Sequence, residues 1–369
     1  VHPSRTMDFD ELYAGLEKKL AENFVSVSVH PEFENLRLYK YNRPCIFNGA
    51  WDIFTMMSRG LIIDVKAKKV IATPFPKFWN YGEMKDLLDL KGEFWVSEKL
   101  DGSLGIMFYY ENKWRVATCG SFASEQAQWA ENYVNSDKIK LGGHVEIGET
   151  WLFEIIYPEN KIVVPYDYSG LVLLAGFMPD GLEYSPIMVD MVADYCGFMK
   201  PKFYSFSSLT EIMAVAGSLA ADKEGFVIRF KDSNIRIKIK GDEYCRLHKA
   251  ICHVTPLAIW ELLANNDNLD IVRVDLPEEL HRDFESIRNI LLKKYNNVIS
   301  DIEKLHNKTK HMSDKELGLW TQSKPQEELM YVIKYLFPYR KGVLFSSLDN
   351  SKSPVRRALY SIFRPFANR

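Results

Sequence analysis

A disulfide framework is absent from this chain. Its five cysteines (Cys45, Cys119, Cys196, Cys245, Cys252) are odd in number and include no Cys-x-x-Cys pair, which argues for free thiols in a reducing compartment. Long apolar runs are missing too: none approaches the roughly 18–20 residues that a membrane-spanning helix needs, and no hydrophobic signal segment opens the chain. The expectation is a soluble cytoplasmic protein with no membrane partner, located in a host's cytoplasm if its source is viral. No Gly-x4-Gly-Lys-Ser/Thr phosphate loop occurs, so no kinase of that type is legible. Nor does either charge dominate. A formal net charge of −2 gives no global attraction to nucleic acid.

What is present is ordinary globular material. The 369 residues, 47% hydrophobic and 26% charged, suffice for two domains, each with its own core. Charge is uneven along the chain: Lys223 to Lys249 holds eight Lys/Arg against four acids, and the last twenty residues carry Lys352, Arg356, Arg357, Arg364 and Arg369 with no acid. Such runs are usually solvated faces, with a nucleic-acid contact as the alternative. Cys245, His248, Cys252 and His253 could be imagined as zinc ligands, but the first three are spaced like neighbours on one helix face, which favours packing.

Residues 1–6 fit no element and are left outside the fold. Asp8 then caps a helix bearing Phe9, Leu12, Tyr13, Leu16 and Leu20 at helical spacing. From Val25 to about Lys240 short β-rich runs predominate, including Leu61–Val65, Leu152–Ile156, Ile162–Val164, Gly225–Phe230 and Ile235–Ile239, with helical patches over Ser124–Asn135, Ser185–Tyr195 and Ser208–Ala216. That mixture predicts an α+β domain with antiparallel sheets. Beyond about Asp242 helical periodicity takes over, from Leu280 to Leu305 after Pro277-Glu278-Glu279, with a capping-box pattern at Ser313 to Glu316 and an amphipathic stretch from Pro325 to Phe337 that Pro338 stops. The domains are therefore placed at 7–245 and 246–369, the second all-α.

The chemistry-bearing stretch is Trp95 to Gly105. It sets Lys99 at the tip of a short glycine-containing turn between two strand-like runs, and Lys99 is the candidate nucleophile. Five further stretches share its part of the chain: Ser58-Arg59-Gly60, Lys77-Phe78-Trp79, Phe153-Glu154, Glu224-Gly225, and Arg236-Ile-Lys238-Ile-Lys240. Each alone reads as ordinary structure, since an acid in an apolar strand can be a satisfied core carboxylate and an Ile/Lys alternation is what an edge strand shows.

In order and spacing, however, the set Arg-Gly, Lys-Phe, Lys-x-Asp-Gly, Phe-Glu, Glu-Gly, Lys-x-Lys resembles the ATP-dependent RNA ligases of the RNA ligase 1 type, the phage tRNA-repair ligases of the covalent nucleotidyltransferase superfamily. Gly120-Ser121-x3-Glu125-Gln126-Ala127 and Asn160-Lys161-Ile162-Val163 add to the likeness, which covers roughly residues 40–245. The resemblance implies an antiparallel-sheet, ATP-grasp-like nucleotidyltransferase domain followed by a helical domain for RNA or tRNA specificity. It implies catalytic Lys99, Lys238 and Lys240; ATP contacts from these and from Arg59, Lys77, Asp101, Gly102, Glu154 and Glu224; and Mg²⁺ or Mn²⁺ held by Glu224 and Glu154.

In the implied chemistry Lys99 attacks ATP as a neutral amine, and Lys238 and Lys240 crowd it to lower its pKa while binding the triphosphate. Asp101 orients the motif loop, and Gly102 lets the backbone approach the phosphate. The partners implied are RNA ends bearing 5′-phosphate and 3′-hydroxyl, a broken tRNA among them, with separate end-healing kinase and phosphatase enzymes. One position departs from the pattern. Cys119 stands where related enzymes usually have a basic residue, so that contact is missing or comes from a neighbour such as Arg115. The alternatives are a nucleotide-binding RNA sensor or chaperone without turnover, and a capping-type or DNA nucleotidyltransferase; the helical periodicity after residue 250 bears no likeness to the β-barrel that those last enzymes append.

Overall fold

A computed structural model describes residues 1–84, 90–160, 162–276, 280–323, 359–360 and 363–365. Among these, contacts divide the chain into two units, Val1–His248 and Lys249–Arg369. Lys161, Pro277–Glu279, the stretch from Pro325 to Pro338, and Lys352, Arg356, Arg357 and Arg369 of the basic tail lie outside the described residues.

Among the described residues the first unit contains thirteen strands in three sheets. One joins β1 (Val25–Val29), β2 (Leu36–Tyr41), β3 (Arg59–Asp64) and β4 (Lys69–Ala72), in that order and all antiparallel. The remaining strands are β5 (Trp79–Asn80), β6 (Phe94–Lys99), β7 (Ser103–Tyr110), β8 (Lys113–Thr118), β9 (Thr150–Ile156), β10 (Gly170–Phe177), β11 (Phe203–Tyr204), β12 (Gly225–Phe230) and β13 (Arg236–Lys240). They form a sheet ordered β10-β9-β7-β8 and another ordered β11-β6-β12-β13-β5, antiparallel except where β5 meets β13. The fold is thus α+β, as the mixture of patterns predicts.

Period-two burial explains the layering. Leu36, Leu38, Ile62 and Ala72 face Ile106, Phe108, Ala117 and Leu152, so the β1–β4 sheet packs on the β7–β10 sheet. On the outer face of the first, Tyr39, Leu61 and Ile63 bury Leu12 and Leu16 of the helix Phe9–Ala21, which Asp8 caps by accepting from the amides of Asp10 and Glu11. On the outer face of the second, Trp151, Phe153, Leu171 and Leu173 pack with Ala130 and Val134 of the helix Glu125–Val134 and with Val189 and Val192 of the helix Pro186–Cys196. Val96, Phe226, Ile228, Ile237 and Ile239 of the third sheet pack on the helix Leu209–Gly217.

Two expectations need correction. Residues 1–6 are part of the fold: Pro3–Thr6 is helical, the His2 amide donates to the Gly181 carbonyl (2.8 Å), and Arg5 donates to the Val70 carbonyl (2.7 Å) and the Thr73 hydroxyl (2.9 Å). These bonds link distant parts of the chain, so no local periodicity could show them. Ile162–Val164 is not a strand, because the amides of Val163 and Val164, which a ladder would use, donate to Asp101.

The second unit is helical where described. Helices Pro256–Asn265, Leu269–Asp275, His281–Thr309 and Asp314–Gln322 follow one another, and Ile259, Trp260, Leu263, Leu280, Phe284, Leu291 and Tyr360 form a core of their own. The capping box is made: the Glu316 carboxylate accepts from the Ser313 amide (2.7 Å), and the Ser313 hydroxyl accepts from the Glu316 amide (3.3 Å). Among the described residues no helix is long and apolar enough to cross a membrane.

Candidate active site

Strand register assembles the central cluster. Gly225, at the start of β12, lies opposite Lys99 of β6 on one side and Lys240 of β13 on the other. Glu224, one residue before, consequently meets both lysines: its Oε2 is 2.9 Å from Lys99 Nζ and its Oε1 2.9 Å from Lys240 Nζ. The Glu224 side chain is 3% exposed, that of Lys240 9% and that of Lys99 21%, so the candidate nucleophile is the group open to an incoming molecule. The expected direct crowding of Lys99 by Lys240 is replaced by a carboxylate held between them, since both flanking strands place their ends beside residue 224.

Gly225 makes this bridge possible. Its φ of +144° suits glycine, and a Cβ there would lie 2.1 Å from the Ile239 carbonyl oxygen. Along β13, Ile237 and Ile239 are buried while Arg236, Lys238 and Lys240 share the opposite face. Arg236 is committed to Glu183, Lys238 Nζ lies 6.0 Å from the centre of the Phe78 ring, and Lys240 reaches Glu224. Arg59 approaches the same Phe78 ring at 5.3 Å, so this aromatic gathers cations from β3 and β13.

The motif loop crosses between sheets: β6 ends at Lys99 and pairs with β12, whereas β7 begins at Ser103 and pairs with β9. Asp101, 3% exposed, anchors that crossing. Its Oδ2 accepts from the amides of Val163 (2.7 Å) and Val164 (2.8 Å), its Oδ1 from the Tyr244 hydroxyl (2.8 Å), and its own amide donates to the Tyr166 hydroxyl (2.8 Å). With both oxygens engaged, Asp101 holds the loop. At Gly102 a Cβ would sit 2.6 Å from the Ile155 carbonyl and 3.1 Å from Glu154 Cγ, so its missing side chain makes room for β9 and Glu154.

Asn160 completes the arrangement, accepting from the Ser103 hydroxyl (3.0 Å) and donating to the Ile155 carbonyl (2.8 Å). The roles of Tyr166, Tyr244 and Asn160 are not legible in sequence. Each acts across 57 to 143 positions; only the Asn160 stretch gave a signal, as a motif.

Glu154 is partly buried on β9, and loss of hydration pushes its carboxyl up to about 7. The neighbouring Glu224 and Asp101 carboxylates add to this, against the pull of Lys99 and Arg59. A carboxyl destabilised as an anion among other carboxylates is a hard oxygen donor suited to a divalent cation, which fits the Glu154 and Glu224 pair expected for Mg²⁺ or Mn²⁺. No group of three or more His, Cys, Asp or Glu that could hold a metal ion occurs among the described residues.

Lys77 lies among aromatic rings. Its ammonium lies 4.6 Å from the ring centre of Trp79, 4.8 Å from Trp51 and 5.4 Å from Tyr41. The aromatic faces hold the cation. Arg115, the neighbour expected to make good the charge at position 119, donates to the Tyr110 carbonyl (3.2 Å), stacks on Phe33 (4.7 Å) and approaches Glu32 (3.9 Å). It is engaged at the far end of the β7–β8 pair.

The family model for RNA ligase matches residues 57–244, just over half of the chain and the whole of this cluster. The chain belongs to that family. It is 27% identical over 280 residues to a protein of Thermovibrio ammonificans provisionally named an RNA ligase, covering 72% of each chain. It is 21% identical over 342 residues to the RNA ligase of Rhodothermus phage RM378, covering 73% of this chain and 77% of the phage protein. A protein of Autographa californica nuclear polyhedrosis virus, provisionally named a bifunctional polynucleotide kinase/RNA ligase, is 28% identical over 244 residues; the match spans 58% of this chain but only 34% of that relative. Among solved structures, an archaeal ATP-dependent RNA ligase superposes with a TM-score of 0.50 over 80% of this chain and 83% of its own at 12% identity, a likeness of fold.

Proposed function

We propose that this chain seals RNA in an ATP-dependent reaction through a covalent lysyl-AMP. The observation that carries the reading is the Lys99–Glu224–Lys240 bridge, in which one partly open amine is held by a buried carboxylate at the mouth of a cationic strand. Lys99 Nζ gives up a proton, for which Glu224 Oε2 is within hydrogen-bond reach, and bonds to the α-phosphorus of ATP; the bond to the β-phosphate oxygen breaks and pyrophosphate leaves. AMP then passes to the 5′-phosphate of an RNA end, freeing the lysine. Finally a 3′-hydroxyl attacks that phosphate, forms the phosphodiester and expels AMP.

Lys238, Lys240 and Arg59 supply positive charge to the phosphates during these steps. Glu154 and Glu224 would hold a divalent cation, which when bound neutralises charge on the transferring phosphoryl group. Asp101 keeps Lys99 in place by fixing the loop that follows it. Recognition of the RNA body, a broken tRNA included, falls in this reading to the helical residues after Lys249. The 5′-phosphate ends come from a kinase activity, and the relative from Autographa californica nuclear polyhedrosis virus is named for both activities together.

Incubation with ATP labelled at the α-phosphate and Mg²⁺ tests the reading. The wild-type chain becomes covalently labelled and Lys99→Ala does not. Labelling by GTP alone points instead to a capping-type enzyme, and reversible binding without label to a sensor.

A further inference from the structure

Lys40 is a half-buried cation that the motif set does not include. It lies on β2 directly opposite Arg59 of β3, at a bulge where Gly60 is the extra residue. Opposite residues in an antiparallel pair project from the same face, and like charges so placed repel. Among the described residues no carboxylate lies within 4 Å of Lys40 Nζ, whereas Arg59 interacts electrostatically with the Glu154 carboxylate.

The bulge brings the turn after β8 against this pair. Gly60, at φ +99°, has room for no Cβ: it would lie 3.0 Å from Cys119 Cα. The Ser28 hydroxyl donates to the Gly120 carbonyl (3.2 Å) and ties the same turn to β1. A Cβ on Gly120 would lie 3.2 Å from Lys40 Nζ, so the ammonium rests against the backbone of residue 120. The cation thus arrives beside Cys119, where the chain itself offers only a neutral thiol. Arg115 is turned elsewhere.

We propose that Lys40 is a phosphate-contacting residue of the ligation site, reaching from β2 to supply with Arg59 the positive charge that position 119 lacks. The inference rests on the ligase reading and adds to it a residue from outside the motifs. An ammonium with no carboxylate within 4 Å, set opposite a second cation, is suited to an anion, and the anions that this chemistry brings are the ATP triphosphate and the RNA 5′-phosphate.

Two rates separate these sources: formation of lysyl-AMP from labelled ATP, and transfer of AMP from the pre-adenylylated full chain to a 5′-phosphorylated oligoribonucleotide. Lys40→Met is expected to slow one of them by about tenfold or more, as loss of a charged hydrogen bond does, and Lys40→Arg to restore most of it. A fall in the first rate assigns the contact to ATP; a fall in the second alone assigns it to the RNA end. Lys40→Ser combined with Cys119→Lys is expected to recover part of what Lys40→Ser loses. The melting temperature of Lys40→Met should equal or exceed that of the wild type, because a repulsion is removed. The proposal is overturned if Lys40→Met keeps both rates within about twofold of wild type, or if its loss of rate accompanies a lowered melting temperature and is not restored by Lys40→Arg. If the wild-type chain never acquires AMP, the ligase reading has failed instead.

Discussion

Glu154 shows how one side chain couples the site to stability. Its carboxyl titrates near 7 in the folded chain against about 4.5 when exposed. The unfolded form therefore loses its proton first as pH rises, and the folded state bears a penalty that starts above about 4.5 and is complete above about 7. At its limit the cost is on the order of 3 kcal/mol. Glu154→Gln removes the titration: denaturant unfolding should find the variant more stable than wild type at pH 8 and little different at pH 4, and equal offsets at both would show that Glu154 is not the source. Lys99 stood out as the candidate nucleophile through the ordered set of motifs. The hydration loss at Glu154 was not legible in sequence, because it depends on how β7 and β10 flank it on either side of β9.

At the scale of elements, the site is a product of strand ends meeting in register. Gly225→Ala would force a Cβ into the Ile239 carbonyl at a backbone angle that side chains rarely adopt; a loss of about 2 kcal/mol or more is expected in urea unfolding, together with slower lysyl-AMP formation, since the Glu224 bridge hangs from that residue. The opposite end of the same strands is pinned differently. Buried Glu183 accepts from Arg236 and lies 3.1 Å from Arg229, whose guanidinium burial lowers to about 10. Glu183→Ala would leave two enclosed guanidiniums facing each other, at a cost of about 3–5 kcal/mol, read as a lower denaturation midpoint. The basic surplus from Lys223 to Lys249 resolves largely into such pairs: Arg229 and Arg236 with Glu183, Lys231 with Glu93, Lys240 with Glu224, Arg246 with Glu243, and Lys249 with Asp283.

For the molecule as a whole, two units with separate cores should unfold in two steps. Calorimetry of the full chain is expected to resolve two transitions, of which ATP with Mg²⁺ raises only the one belonging to residues 1–248. At ligand a hundredfold above its Kd the gain is about 2.7 kcal/mol. A single transition, or two raised equally, would contradict independent units. The sequence suggested a division after residue 245 because strand-like runs give way to helical periodicity there.

The chain's linear order determined much of this protein. Apolar runs and alternation specified β2, β12 and β13, Asp8 announced the first long helix, and the ordered motifs holding Arg59, Lys99, Glu154, Glu224 and Lys240 carried the resemblance to RNA ligases, because these features depend on neighbours a few positions apart or on motif order. Tertiary structure alone decided that Glu224 lies between two lysines, that Asp101 spends its oxygens on Val163, Val164 and Tyr244, that residues 1–6 belong to the fold, and that Lys40 meets Gly120. Those contacts join positions 62 to 179 residues apart in most cases, and only strand pairing and sheet packing can bring such positions together.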